Sequence, residues 1–193
     1  MVEVRRISLP EELDRQLKTL AELQQESNGV LLYTSQGLDF RVDHLYMTNI
    51  GTAGHVQADP IRMEIINKFF ERHPEYQLIK WHTHSRGTGE YWFDKLSEGD
   101  IRSYNRQLEE DPEFIGMMVS PVKKIIVARG KGEESTLVRV VPTPHDFYDR
   151  RRRLETEIEL AARELGYTFN ERTAREVGYT HLPRLRATQK IGR

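Results

Sequence analysis

The sequence predicts a mixed α/β (α+β) fold, and three observations carry that reading. Leucines at helical spacing alternate with short apolar runs of strand character. Strands cluster late in the chain at hairpin-like separations, which fits an α+β or α/β fold better than a doubly wound parallel sheet. The 193 residues, 37% hydrophobic and 31% charged, are enough for one core and one ordinary domain with an appendage.

Each element follows from local pattern. Leu9-Pro10-Glu11-Glu12 starts a helix, with a proline near the first position and acids in the first turn. Leu13, Leu17 and Leu20 then give it one apolar face, and the helix is expected to end near Ser27-Asn28-Gly29. Val30 to Tyr33 reads as a buried strand, Ser35-Gln36-Gly37 as a turn, and residues 38–47 as a second strand. A helix is expected over Ile61–Phe70, a strand over Tyr76–Thr83, and a glycine-containing loop through Gly87 and Gly89. Ser97 is a good N-cap for a helix from Glu98 to about Glu110. Strands are expected over Phe114–Val119, Lys124–Ala128 and Thr136–Val141, the last two joined as a hairpin by Arg129-Gly130-Lys131-Gly132. Phe147 to Leu165 reads as a charged helix, with an irregular basic tail beyond it.

Composition removes several function classes. Lys and Arg total 29 against 30 Asp and Glu, so a nucleic-acid partner is not expected. There is no cysteine, which excludes disulfides, thiolate catalysis and cysteine-ligated zinc, and leaves any metal to His and carboxylate. No apolar run approaches membrane length, mean hydropathy is −0.66, and Met1-Val2-Glu3-Val4 opens no signal peptide. No membrane association is expected, and the expected location is the cytoplasm. No G-x-G-x-x-G or Walker loop supports nucleotide binding.

One short motif carries chemistry. His82-Thr83-His84 closes a predicted strand, and residues two apart on a strand share a face, so two imidazoles are presented together. Catalytic zinc usually takes three protein ligands and keeps one position for water. Asp100, at the first turn of the helix after Ser97, is the natural third ligand, with Asp94 and Glu98 next in line. Ser97-Glu98-Gly99-Asp100 also fits a capping box that merely satisfies a helix N-terminus. His44, His55, His73, His145 and His181 have no ligand-like spacing. Arg150–Arg153 reads as a solvated helix face.

An E-x-x-G ahead of a strand, then H-x-H, then S-x-x-D, resembles the pattern of the JAMM (MPN+) zinc metalloproteases. The matching residues are Glu26-Ser27-Asn28-Gly29, His82-Thr83-His84 and Ser97-Glu98-Gly99-Asp100, and the resemblance spans roughly residues 5–142. Gly54 to Pro60 also looks like the stretch before the second helix of that family. The chain departs from the pattern in having Ser85 where proline often follows the second histidine. It also has Lys80 in place of a tryptophan, and a longer loop over residues 85–96.

The resemblance implies a curved mixed sheet flanked by helices, akin to the cytidine-deaminase architecture. It implies residues 1–145 as the catalytic domain and 146–193 as a C-terminal helix and basic tail. It implies one zinc ion on His82, His84 and Asp100 with a catalytic water, Glu26 as general base, and Ser97 as hydrogen-bond donor to the oxyanion. The implied activity is hydrolysis of an amide or isopeptide bond at the C-terminus of ubiquitin or a ubiquitin-like protein. Within the family the chain resembles small archaeal or prokaryotic members related to the proteasome-lid deubiquitinase, so the implied partners are ubiquitin-like conjugates and a proteasome or similar complex. Release of a C-terminal amino acid from a sulfur-carrier protein, or a non-catalytic MPN interaction module, are the alternatives. Tyr91, Trp92 and Phe93 in the long loop are expected to border the site and face the substrate tail.

Overall fold

The computed structural model describes residues 5–51, 55–84, 95–128, 136–170 and 187–190. In chain order the elements are β1 (Arg5–Pro10), α1 (Glu11–Ala21), β2 (Ser27–Gln36), β3 (Asp39–Ile50), α2 (Pro60–Arg72), β4 (Tyr76–Thr83), α3 (Glu98–Glu110), β5 (Ile115–Val119), β6 (Lys124–Ala128), β7 (Thr136–Val141), α4 (Phe147–Glu164), β8 (Tyr167–Asn170) and β9 (Ala187–Lys190). Seven strands form one mixed sheet in the order β6-β5-β4-β2-β3-β1-β7. β2 runs antiparallel to β3 and β4, whereas β4/β5, β1/β3 and β1/β7 are parallel.

The uninterrupted apolar run Val30–Tyr33 is explained by helices on both faces of β2. Leu31 and Tyr33 enter one core with Leu13, Leu17 and Leu20 of α1. Val30 and Leu32 enter the other with Ile65, Ile66 and Phe69 of α2 and Leu154 and Ile158 of α4. α4, beyond the expected boundary at residue 145, therefore shares its core with the central strands.

Three expectations need correction. α1 ends at Ala21, and Ser27 to Gly29 already belong to β2. Leu23 continues the helical spacing three residues past Leu20, and Glu22–Gln25 carry no residue that marks a helix end. β6 and β7 do not form a hairpin. They occupy opposite edges of the sheet, β7 pairing in parallel with β1. Laid flat, six strand spacings of roughly 4.8 Å would part those edges by about 29 Å. The chain steps from Ala128 to Thr136 reach at most about 29 Å when fully stretched. A flat sheet would leave that link no slack, and the sheet is curled. Finally, the tail is not wholly irregular: β9 pairs with β8, whose Tyr167 and Phe169 pack on the second core. The remaining tail residues from Glu171 lie outside the described residues, as does the glycine turn of residues 129–132.

Candidate metal centre

β4 presents His82 and Thr83 to opposite faces of the sheet. His84 follows directly, its N–H donating to the Val119 carbonyl at 2.9 Å, so the strand's end stays tied to β5. The two imidazole centroids are 5.0 Å apart with their planes at 54°. Thr83 is fully buried, and its Oγ1 accepts from the Ser27 N–H at 2.8 Å. The residue between the two histidines thus bolts β4 to the first residue of β2, next to Glu26.

Both readings of S-x-x-D hold at once in α3. Ser97 Oγ accepts from the Asp100 N–H at 3.1 Å, and the Ser97 N–H donates to Asp100 Oδ2 at 2.8 Å, a full capping box. The box folds the Asp100 carboxylate back over the helix start, where the histidines lie. Oδ2 stands 3.0 Å from His84 Nε2, and Oδ1 stands 3.2 Å from His82 Nε2. Ser97 Oγ–H donates to Oδ2 at 2.6 Å, so the structure directs this hydroxyl at Asp100. Burial alone would raise the Asp100 pKa, but His82, His84 and Ser97 outweigh it and hold the carboxyl well below its usual range. Glu98, by contrast, is exposed and paired with Arg102 at 3.4 Å.

Glu26 is buried beside this cluster. Its carbonyl accepts from the Gly51 N–H at 2.8 Å, and the β2/β3 register slips between Asn28 and Gly29, re-aiming the chain toward the sheet's end. Gly29 is required there. A Cβ would lie 2.2 Å from the Tyr46 carbonyl oxygen and 2.8 Å from Trp81 Cζ2. Burial pushes the Glu26 carboxyl up, opposed by His84 and His82, raised further by Asp100 and lowered by His55. His55, to which spacing alone gives no role, therefore lies within electrostatic reach of the site.

The donor set fits a divalent metal. One ligand atom from each of His82, His84 and Asp100 lies within 4.8 Å of the others. His82 Nε2 is buried without a hydrogen-bond partner, its 3.2 Å approach to Asp100 being misaligned for one. A buried nitrogen in that condition calls for another occupant of its lone pair. Two imidazoles and a carboxylate suit borderline first-row cations.

Sequence reasoning missed the contacts that seat α3. Tyr104 Oη is 2.8 Å from His82 Nδ1, and Lys80 Nζ donates to Gln107 Oε1 at 2.6 Å. Asp100, Tyr104 and Gln107 recur at three- and four-residue spacing, so that helical face was legible. Burial pushes the Tyr104 hydroxyl far above its usual range, keeping it protonated. The expected rim residues Tyr91, Trp92 and Phe93, together with Asp94, lie outside the described residues.

No family model and no curated protein matches this chain. Among solved structures it is similar to the solution structure of protein DSY2949 from Desulfitobacterium hafniense, at 19% identity and a TM-score of 0.51. The match covers 72% of this chain and 97% of that one, and it supports the fold alone. No described helix is long and apolar enough to cross a membrane. What chain and geometry establish together is a curled mixed sheet flanked by helices, with a His-His-Asp cluster suited to a metal at one end.

Proposed function

We propose that this chain is a zinc metallo-isopeptidase of the JAMM/MPN+ type, acting on the bond that joins the C-terminus of a ubiquitin-like protein to an amine. The observation that carries the reading is the convergence of Glu26 with His82, His84 and Asp100 from three separate elements. Each residue belongs to the motif that the resemblance assigns to it. Held on those three ligands, zinc would polarise the scissile carbonyl and acidify a water toward neutral pH.

The chain's own residues divide the remaining work. Glu26, whose burial raises its proton affinity, takes the proton from the attacking water and passes it to the leaving amine nitrogen. Ser97 turns its hydroxyl proton from Asp100 toward the carbonyl oxygen as that atom gains charge. The Thr83–Ser27 bond keeps Glu26 in register with the histidines.

The test is incubation of zinc-loaded protein with ubiquitin-like conjugates and, separately, with fusions bearing one extra C-terminal amino acid. Cleavage of conjugates is expected. Glu26→Gln should lower the rate by roughly 10²–10⁴-fold while keeping zinc. Turnover of the fusions alone would favour the sulfur-carrier reading. Inertness toward both substrates with zinc bound would favour an interaction module.

A further inference from the structure

We infer that Tyr104 is a positioning residue for the metal centre: its hydroxyl oxygen accepts a hydrogen bond from His82 Nδ1–H, which leaves the Nε2 lone pair to the metal and fixes the plane in which it points. The inference rests on His82 being a metal ligand, and the geometry extends it to a residue outside all three motifs.

A neutral imidazole carries its proton on one nitrogen and a lone pair on the other. The structure treats the two nitrogens of His82 differently. Nδ1 lies 2.8 Å from Tyr104 Oη. Nε2 is buried and unpartnered. A proton on Nε2 would face Asp100 Oδ1 at 3.2 Å but out of line with it, a buried donor poorly satisfied. A proton on Nδ1 is satisfied by Tyr104. The tautomer with Nε2 bare is the one a ligand needs, and it is the one in which Tyr104 Oη serves Nδ1–H as acceptor. Ligating histidines are generally held this way by a partner on the far nitrogen, usually a carboxylate or carbonyl. Here a buried phenol takes that place.

The ring of Tyr104 is seated as firmly as its hydroxyl. Tyr104 is the one buried residue of α3, and its ring packs against those of His82 and Phe114, with centroids 5.8 Å and 5.7 Å away. It lies directly on Gly116 of β5, where a Cβ would come within 2.6 Å of Tyr104 Cε1. The absence of a side chain at residue 116 is thus what lets the ring approach His82. One turn on, Gln107 accepts from Lys80, the residue two before His82 on the same face of β4. Successive turns of α3 therefore each grip one outward group of β4, which holds the phenol at a fixed height along the strand.

The test uses the full chain with ¹⁵N-histidine labelling. Tyr104→Phe keeps the ring and removes only the oxygen. In zinc-free wild type, His82 is expected to show the Nδ1–H tautomer by long-range ¹H–¹⁵N correlation. In Tyr104→Phe that preference should be lost, and zinc affinity, measured by chelator competition, should fall by roughly 10–100-fold. Gly116→Ala keeps the hydroxyl but displaces the ring, and should move both readouts in the same direction. A purely structural role would lower the unfolding midpoint without altering the tautomer. An unchanged tautomer and an affinity within about twofold of wild type in Tyr104→Phe would overturn the role of Tyr104 and leave the metal centre standing. Failure of the wild type to bind zinc would instead sink the metal-centre reading.

Discussion

α1 and α3 both cover the same sheet, yet they are held by opposite means. α1 buries Leu13, Leu17, Leu20 and Ala21 completely. Each such leucine stabilises the fold by roughly 1.5–3 kcal/mol, without regard to direction. α3 buries Tyr104 alone, and its grip on β4 consists of polar contacts from Asp100, Tyr104 and Gln107. Polar contacts inside a protein contribute little net stability, but they fail steeply when an angle or distance is wrong. α1 therefore supplies cohesion and α3 supplies atomic placement. A metal centre needs the second kind of helix nearby, because its ligand distances tolerate only tenths of an ångström.

Separate substitutions should pull the two apart. Asp100→Ala is expected to have the largest effect: loss of most bound zinc by elemental analysis, with fold retained by circular dichroism. Loss of the capping box should add only about 1 kcal/mol of destabilisation. Full zinc retention in that variant would move the third ligand elsewhere. Leu17→Ala should do the reverse, costing about 2–5 kcal/mol in urea unfolding while zinc stoichiometry of the folded protein stays at the wild-type value. A variant at Leu17 that lost zinc while folded would show that cohesion and placement are not separable here.

The smallest effect probes a polar tie between α1 and the edge strand β6. Asp14 is buried beneath Lys18, at 2.8 Å, and Lys124 of β6. Burial alone would raise its pKa, but the two ammonium groups outweigh that and hold it below its ordinary 3.8. A carboxylate depressed in the folded state contributes stability above 3.8 and loses it as pH falls through the lower folded value. Unfolding midpoints of Asp14→Asn and wild type should accordingly differ at neutral pH and converge in acid below that range. A difference that stayed constant into strong acid would assign the effect of the substitution to packing and not to charge.

Legibility in the sequence follows the range of the interaction that fixes each feature. β4, α3, β6 and β7 have the bounds that local pattern predicts, since alternation, an N-cap serine and flanking turns are written within a few residues. The pairing of β7 with β1 is not so written. A glycine turn between two strands says nothing about whether they become neighbours when another strand offers a better face. The His-His-Asp cluster is legible because all three residues sit at short spacing around one strand end and one helix start. Glu26 is picked out by a motif alone. What places it beside the histidines is the Thr83–Ser27 bond and the close approach at Gly29, the first made between residues 56 apart in the chain. Tyr104 escapes a search for ligands because a phenol is not a usual zinc ligand, although its spacing from Asp100 puts it on the right face.

The placement of β7 beside β1 also orders events during synthesis. β1 lies between β3 and β7, and the Glu12 N–H donates to Thr143 Oγ1 at 3.1 Å, across 131 residues of chain. Until Val141 has left the ribosome, the nascent chain carries its first strand as an unpaired edge, with Ile7 and Leu9 still lacking part of their cover. All three proposed zinc ligands are translated well before that edge can close. The nascent molecule therefore passes through a stage in which the ligand residues exist but the sheet beneath them is incomplete, the stage at which a chaperone or a neighbouring strand finds most to hold.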